Sequence, residues 1–391
     1  MPGKGRSIIL LVLAQTMILS LWFVSSAILS DMGREAKLDA FAKAAMSSSV
    51  QAGFVLGALT VAITGIADKL DPRFVLGVSA AVAGLANLGL LVVAPGGWLG
   101  IGLRFFTGIM LAGVYPVGMK IAVGWGQKDR GFLVGLLVGG LTVGSASPHL
   151  LAYWGGAYWR LTVGFASALA FLGAGMMAWV RLGPFHRASP VFSAAAISLV
   201  WKDSKIRAAY GGYLGHMWEL YAMWAWISVA LASSFSGKLS DPESSAKMIT
   251  FITIAAGGIA SAGAGWVADQ IGKAKLAMIA MLLSSCSALA FAACFNGPIW
   301  LVASIAIFWG ITIVPDSAQF SALIADFAPP DQAGSVMTLQ TALGFALTAV
   351  TVQIAPVLAD NLGWPLVMAS LAIGPMLGIV SMSRLSRTSP S

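Results

Sequence analysis

The sequence predicts an all-α membrane protein with twelve transmembrane helices in two pseudo-symmetric six-helix halves. Three observations support this fold class: the composition, a regular succession of long apolar runs, and similar segments about two hundred residues apart. Of the 391 residues, 58% are hydrophobic and only 10% are charged, and the mean hydropathy is +0.86. A water-soluble chain of this length would lack the polar groups needed to cover its surface. We therefore expect the chain to be embedded in a lipid bilayer.

Twelve apolar runs approach or exceed the ~20 residues that a helix needs to cross the bilayer core. They cover residues 8–30, 46–67, 74–94, 98–121, 131–153, 159–181, 209–234, 247–268, 275–295, 299–325, 334–358 and 364–382. The first run follows Lys4 and Arg6, as the apolar region of a signal peptide would. It is about twice as long as such a region, so we expect it to be retained as the first span.

The two halves align with each other at an offset of 201 residues, which places Asp68 on Asp269. The longest segment between spans without an apolar run is 182–208. We therefore predict an N-terminal half over residues 1–181, a cytoplasmic linker over 182–208 and a C-terminal half over 209–391.

The net charge of +8 comes from basic residues that are scattered through short loops. They form no patch, so nucleic acid is not a predicted partner. If the N-terminus is cytoplasmic, the inner segments carry sixteen Lys and Arg residues and the outer segments carry six. This asymmetry predicts an inner (cytoplasmic) membrane protein with both termini in the cytoplasm. The outer loop 31–43 mixes both signs of charge and is expected to be solvated.

No Cys/His cluster has metal-ligand spacing, and no nucleotide-binding glycine motif is present in the sequence. The cysteines Cys286 and Cys294 would lie about 12 Å apart along one helix, which is too far for a disulfide. We therefore predict no metal, no cofactor and no enzymatic activity.

One loop motif occurs at corresponding places in the two halves, and two further motifs lie in the N-terminal half. Residues 265–273 read GWVADQIGK, and the N-terminal copy, 64–73, reads TGIADKLDPR. Residues 104–108 read RFFTG, and residues 130–135 read RGFLVG. Together these motifs resemble those of the major facilitator superfamily, whose loop signature is G-x-x-x-D-R/K-x-G-R/K. The N-terminal copy departs from that signature at Thr64 and Asp71, where glycines are usual.

The resemblance covers all twelve spans and implies the major facilitator fold, with transport by alternating access through a site between the halves. In that family, helices one, four, seven and ten line the cavity, and the loop motifs act on the inner gate. The implied gating residues are Asp68, Arg73, Arg130, Asp269 and Lys273. In detail the chain resembles bacterial carriers grouped near nitrate/nitrite and organic-anion porters. It lacks the nitrate porters' arginines in helices two and eight and the antiporters' glycine-proline element in helix five.

Each of the four cavity helices carries a mixed polar and aromatic stripe at helical spacing. From these stripes we expect substrate contacts from Arg104, Tyr115, Gln15, Trp22, Trp226 and Gln319. Proton coupling is expected from Glu219, His216 and Asp316, because ionisable groups are costly inside a membrane and usually mark a functional site there.

Each assignment has a structural alternative. Arg104 is either an anion ligand, through its fork of donors, or a structural arginine satisfied by neighbouring carbonyls. Glu219 is either a proton carrier or half of a fixed ion pair. His216 either shares that proton or is a packed, hydrogen-bonded histidine. Asp316 follows Pro315, so it marks either a functional site or a kink.

The leading hypothesis is a secondary active transporter that moves a small solute, an anion, with proton coupling. The pair of Arg104 as anion clamp and Glu219 as proton carrier would give an importer. The alternative is a proton-driven exporter of amphipathic compounds, with tryptophans and tyrosines of helix seven as an apolar wall. A membrane sensor or embedded enzyme is a third possibility, but the sequence holds no catalytic constellation and no long soluble domain. The expected partners are a small-molecule substrate, protons and the lipid bilayer, and the expected unit is a monomer.

Overall fold

The computed structural model describes residues 3–126, 129–156, 158–186, 192–193, 195–329 and 332–386. All regular structure in these residues is helical. Twelve long helices follow one another along the chain. They are α1 (Lys4–Ala36), α2 (Ala40–Thr64), α3 (Pro72–Leu91), α4 (Trp98–Val123), α5 (Gly131–Gly155), α6 (Trp159–Trp179), α7 (Ser204–Phe235), α8 (Pro242–Ile271), α9 (Lys273–Ala293), α10 (Ile299–Phe327), α11 (Ala333–Leu362) and α12 (Trp364–Leu385).

Eleven of the described helices are long and apolar enough to cross a bilayer. The remaining helix, α7, has 32 residues and is the one that carries His216 and Glu219. Both of these residues are buried, so α7 presents its polar groups to other helices. The predicted all-α membrane fold class is confirmed.

Helix α7 begins earlier than predicted, at Ser204 within the predicted linker. The Asp203 side chain caps this start by accepting hydrogen bonds from the backbone N–H groups of Lys205 and Ile206. The linker also contains a short helix, Ala195–Lys202. The segment 182–208 is therefore partly helical, which the sequence analysis did not predict.

The two halves contact each other mainly through α5 against α8 and α2 against α11. Within each half, glycines allow a close helix crossing at equivalent positions. A Cβ on Gly108 of α4 would lie 2.0 Å from the Val50 carbonyl oxygen of α2. A Cβ on Gly310 of α10 would lie 1.9 Å from the Thr253 carbonyl oxygen of α8. Since Gly310 stands 202 residues after Gly108 and Thr253 stands 203 residues after Val50, the same crossing occurs in both halves.

Three of the helices that the family resemblance assigns to the cavity are interrupted near their middle. Helix α1 consists of Lys4–Leu19 and Val24–Ala36, α4 of Trp98–Leu111 and Tyr115–Val123, and α10 of Ile299–Ile313 and Ser317–Phe327. Pro116 and Pro315 account for the second and third breaks, because proline lacks an N–H and its ring displaces the preceding turn. The break in α1 contains neither proline nor glycine.

The bundle has two ends. We call the end at which α1 begins the terminal face, and the opposite end the distal face. Lys4 pairs with Asp129 of the α4–α5 connection across 2.6 Å, so that connection also lies at the terminal face.

Candidate functional site

Arg104 on α4 lies in the interior of the N-terminal half and is fully buried. Its guanidinium donates hydrogen bonds to the carbonyl oxygens of Leu21 and Trp22, at 2.9 and 2.7 Å, and to Asn87 Oδ1 at 3.1 Å. The Asn87 amide in turn donates to the Ser167 hydroxyl on α6. The carbonyls belong to the break in α1, where helical partners are missing. Arg104 therefore donates to the interrupted turn of α1, the contact that a structural arginine would make.

Gln15 on α1 makes the reciprocal contact with α4. Its amide donates to the carbonyl oxygens of Val114 and Tyr115, at 3.0 and 3.4 Å, at the break in α4. Gly118 leaves room for this amide, because a Cβ there would lie 2.1 Å from Gln15 Nε2. Helices α1 and α4 thus satisfy each other's broken turns with one long polar side chain each.

In the C-terminal half, His216 of α7 meets Asp316 at the break in α10. His216 Nδ1 lies 2.9 Å from Asp316 Oδ1, and both side chains are at most 2% exposed. His216 Nε2 lies 2.8 Å from the Ser317 hydroxyl, a hydrogen bond whose donor depends on the imidazole tautomer. One imidazole therefore connects α7 to both residues that follow Pro315.

Glu219 lies one turn further along α7, and its carboxylate is held by two other helices. Its Oε1 accepts a hydrogen bond from the Trp309 indole at 2.7 Å, and its Oε2 accepts one from the Ser284 hydroxyl at 2.9 Å. The structure thus brings Glu219, His216 and Asp316 together where α7 packs against α10. The nearest hydrogen-bond partners of Glu219 and of Arg104 lie in different halves, so the predicted clamp of these two residues is not formed here.

Aromatic rings from both halves meet next to this region. Trp22 and Phe54 contribute from the N-terminal half, and Tyr221 and Phe345 from the C-terminal half. The ring centroids of Trp22 lie 4.9 Å from Phe54, 5.4 Å from Phe345 and 5.8 Å from Tyr221. All four side chains are at most 4% exposed. We call these four residues the aromatic junction, in which rings of both halves pack against each other.

The other predicted substrate residues are differently placed. Trp226 donates its indole N–H to the Val352 carbonyl of α11 at 3.0 Å, and its ring lies against Trp364 at 5.8 Å. Gln319 is buried in the first turn after the α10 break. Tyr115 is only half-buried at the start of the second segment of α4.

The predicted gating residues lie at the terminal face. Asp68 pairs with Lys120 at the end of α4, and Lys273 pairs with Asp326 at the end of α10 across 2.6 Å. Asp269 borders a pocket at the α8–α9 turn. The side chain of Arg130 is outside the described residues.

Asp71 caps the start of α3 and forms an ion pair with Arg73. The Arg73 guanidinium also donates a hydrogen bond to the Val180 carbonyl at 3.1 Å. The hydrogen bond from the Arg73 guanidinium lowers the pKa of the Asp71 carboxyl.

Three polar contacts join the two halves at the distal face, among the residues that the structure describes. Lys247 of α8 pairs with Asp31 of α1 at 2.7 Å, and the side chains are 6% and 1% exposed. Arg34 bridges Asp31 at 2.5 Å and Glu243 at 3.1 Å. The Ser48 hydroxyl donates to Gln353 Oε1 at 2.6 Å. We call Asp31, Arg34, Glu243 and Lys247 the distal ion-pair network.

The expectation of a solvated segment 31–43 was therefore wrong for Asp31. This residue is still part of α1, and the contact with the opposite half removes it from solvent. Sequence reasoning also missed Asn87 and Lys247. Asn87 is a polar residue within an apolar stretch, which is the signal that could have identified it, whereas Lys247 lies near the polar start of α8 and carries no such signal.

The described residues contain no group of three His, Cys, Asp or Glu side chains that could hold a metal ion. The interior groups described above make hydrogen bonds and aromatic contacts, and Glu219, His216 and Asp316 among them are titratable.

The sequence model of the Major Facilitator Superfamily matches residues 11–237, more than half of the chain, so the chain belongs to this family. No curated protein matches it. Among solved structures, a mutant of the nucleoside transporter NupG is 14% identical, with a TM-score of 0.74 over 98% of this chain and 99% of that one.

A bacterial homolog to the human lysosomal transporter Spinster, in an inward-facing and occupied conformation, is also 14% identical. Its TM-score is 0.77, and both chains are covered completely. At this identity the two likenesses show the fold alone. Family and fold define the chain as a multi-pass transporter of the major facilitator type rather than an enzyme.

Proposed function

We propose that this chain is a proton-coupled transporter that moves a small amphipathic solute, with Glu219, His216 and Asp316 as the proton-coupling group. The observation that carries the proposal is the arrangement of these buried titratable side chains where α7 packs against α10: His216 lies against Asp316 at the break in α10, and Glu219, one turn further along α7, accepts a hydrogen bond from Trp309 of α10. Burying a charge is costly unless it is paired and hydrogen-bonded, so each group responds strongly to the loss or gain of a proton.

Proton exchange at this group acts on helix packing. The hydrogen bonds of Glu219 reach α9 and α10, and the contact of His216 reaches both residues that follow the break in α10. Protonating Glu219 weakens its two charge-assisted hydrogen bonds. A proton thereby shifts the balance between two arrangements of α7 against α10, which is what coupling requires.

An amphipathic solute is supported by the groups between the halves. The aromatic junction offers Trp22 from one half and Tyr221 and Phe345 from the other. Aromatic side chains bind the apolar faces of a solute, while tyrosine and tryptophan add a polar group at one end. Arg104 is already engaged with the α1 break, which weakens the case for an anion.

A small anion is the second candidate substrate, and one observation favours it. Arg104 Nε is buried and has no hydrogen-bond partner among the described residues. A buried donor left unpaired costs free energy, so an anion that reached it would gain a partner.

The test uses the purified chain in proteoliposomes that contain a pH-sensitive dye. A panel of aromatic carboxylates, lipophilic amines, nucleosides and inorganic anions is added outside, and the internal pH is recorded. We expect amphipathic solutes to drive proton movement across the membrane. Glu219→Gln should abolish this movement and retain solute exchange, while Asp360→Asn, at an exposed position of α11, should resemble the wild type.

Two outcomes would change the proposal. If inorganic anions alone move protons, and Arg104→Lys reduces their binding in a variant that still folds, the second candidate is favoured. If Glu219→Gln still accumulates solute under a proton gradient, Glu219 is not the coupling residue and Asp316 is the next to test.

We also propose that the chain works as a monomer in the inner membrane, with the terminal face in the cytoplasm. The excess of Lys and Arg in the terminal-face segments supports this orientation. A cysteine introduced at Ser240 should react with an impermeant thiol reagent from outside the cell. Protection of that cysteine would overturn the orientation.

A further inference from the structure

A pocket of about 640 Å³ opens at the terminal face of the C-terminal half. It lies where the start of α7, the α8–α9 turn and the ends of α10 and α12 come together. Charged residues from four of these helices border it: Lys205, Asp269, Lys273, Lys275 and Asp326. Its apolar wall includes Phe327 and Leu385. The pocket lies apart from the aromatic junction and from the proton-coupling group.

The charges in the pocket leave an excess of positive groups. The Lys273 ammonium already forms an ion pair with Asp326 across 2.6 Å. Among the residues that the structure describes, neither Lys205 nor Lys275 takes part in an ion pair, and Lys205 Nζ lies 5.9 Å from the centroid of the Phe327 ring. Asp269 is the one other acid in the lining. Two ammonium groups are therefore available to an anionic ligand.

Exposed tryptophans indicate the level at which the pocket lies relative to the bilayer. Trp266 is 70% exposed and lies on α8 one turn before Asp269. Trp201, at the end of the linker helix at the same face, is 72% exposed. Tryptophan side chains concentrate at the level of lipid headgroups, where one part of the ring is apolar and the N–H is wet. The pocket thus opens where the phosphate groups of the bilayer lie.

We propose that this pocket binds the headgroup of an anionic phospholipid, with Lys205 and Lys275 as the ligands of the phosphoryl oxygens. Basic pockets between membrane helices recognise such headgroups, and the lysine ammonium is a compact charge that suits phosphate. The apolar wall at Phe327 and Leu385 contacts the glycerol and the first acyl carbons. The first turn of α9 adds free backbone N–H groups, because Gly272 provides no side-chain cap.

The experiment uses the full chain purified in a mild, delipidating detergent. Phosphatidylglycerol, phosphatidylcholine, glycerol 3-phosphate and inorganic phosphate are titrated separately, and binding is followed by native mass spectrometry and by melting temperature. We expect phosphatidylglycerol to bind with a saturable affinity, to raise the melting temperature, and to exceed phosphatidylcholine in both measurements.

The double variant Lys205→Gln/Lys275→Gln should bind phosphatidylglycerol about 25-fold more weakly, which corresponds to about 2 kcal/mol for two lysines near the headgroup surface. The matched control is Lys69→Gln/Lys202→Gln, which removes two exposed lysines at the same face outside the pocket. Its affinity should stay close to that of the wild type. Melting temperatures in lipid-free detergent verify that both double variants fold.

Three results would overturn the proposal. Equal binding of phosphatidylcholine would show that the phosphoryl charge is not recognised. Stabilisation by inorganic phosphate or glycerol 3-phosphate alone, without phosphatidylglycerol, would assign the pocket to a soluble anion. Unchanged affinity in the pocket variant, or equal losses in both double variants, would place the lipid elsewhere on the terminal face.

Discussion

The interiors of the two halves satisfy their buried polar groups in different ways. In the N-terminal half, Arg104 and Gln15 donate to backbone carbonyls at the breaks of α1 and α4. In the C-terminal half, Glu219 of α7 accepts a hydrogen bond from Trp309 of α10, and His216 of α7 contacts Asp316 and Ser317 at the break in α10, so these contacts involve groups that titrate. An arginine and an amide keep the same hydrogen-bonding pattern at any accessible pH, whereas carboxyl and imidazole groups do not.

This difference indicates a division of labour. In the proposed function, the N-terminal half holds its broken helices in one fixed arrangement, while the C-terminal half changes its contacts when a proton arrives. The following predictions test that division, beginning with the largest expected effect.

Replacing the guanidinium of Arg104 should be the most damaging change. Arg104→Ala leaves the carbonyls of Leu21 and Trp22 and the Asn87 amide oxygen without their buried donor. We expect a loss of about 4 kcal/mol in the free energy of unfolding, because buried charged hydrogen-bond networks cost this much to break. Chemical denaturation in detergent micelles measures the loss.

Arg160→Ala is the matched control, since Arg160 is half-exposed and pairs with Glu35 at the surface. It should cost less than about 1 kcal/mol. An Arg104→Ala protein as stable as the wild type, but unable to bind anions, would show that the N-terminal half is not a fixed scaffold at this site.

The second prediction concerns the boundary between the halves. Asp31→Asn leaves the buried Lys247 ammonium without its carboxylate. We expect the contact between the halves at the distal face to be weakened by about 3 kcal/mol, because removing one partner of a buried pair leaves the other charge buried and unpaired. Labelling of a cysteine at Ser48, in a chain without Cys286 and Cys294, should accelerate more than tenfold.

Glu35→Gln is the control here, because Glu35 pairs with Arg160 within its own half and does not cross the boundary. Its labelling rate at Ser48 should stay near that of the parent. An equal acceleration in both variants would mean that the distal ion-pair network does not hold the halves together.

Much of the fold could be predicted from the sequence because the bilayer fixes the length of each span. Helical spacing alone also put His216 and Glu219 on one face of α7, one turn apart. Their contacts with Asp316 and Trp309 on α10 could not be predicted. These positions are about a hundred residues away in the chain, and only the packing of α7 against α10 brings them together.

The role of Arg104 shows a second limit. The sequence marks it as a charge within an apolar span, but its partners are carbonyls of an α1 break that lacks proline and glycine. A break of that kind leaves no signal in the sequence. Asp31 and Lys247 lie towards the ends of their helices and looked solvated, because a single span does not reveal which surface the other half will cover.

The third prediction uses the feature that the halves share. Gly108→Ala and Gly310→Ala each bring a methyl group to about 2 Å from a backbone carbonyl oxygen. We expect each to lower the free energy of unfolding by about 2 kcal/mol, the usual cost of overpacking, and the two losses to be similar. Gly102→Ala meets nothing within 4 Å and should cost nothing. Strongly unequal losses would argue against equivalent crossings in the two halves.

The smallest effect is expected at a helix start that differs between the halves. Asp71 caps α3 through the Arg73 N–H and also pairs with the Arg73 side chain, whereas Gly272, before α9, offers no side-chain cap. Asp71→Asn should cost about 0.5–1 kcal/mol at neutral pH, because asparagine retains a cap but loses the ion pair. Arg73 lowers the pKa of Asp71 in the folded chain, so the carboxylate stabilises the fold above its unfolded pKa. That contribution is lost as the pH falls through the lower, folded pKa, so the melting curves of variant and wild type should converge on acidification.

Lys69→Gln, in the same loop, should show no such convergence. A difference between Asp71→Asn and the wild type that persists at low pH would mean that the Asp71 charge contributes nothing to the stability of α3.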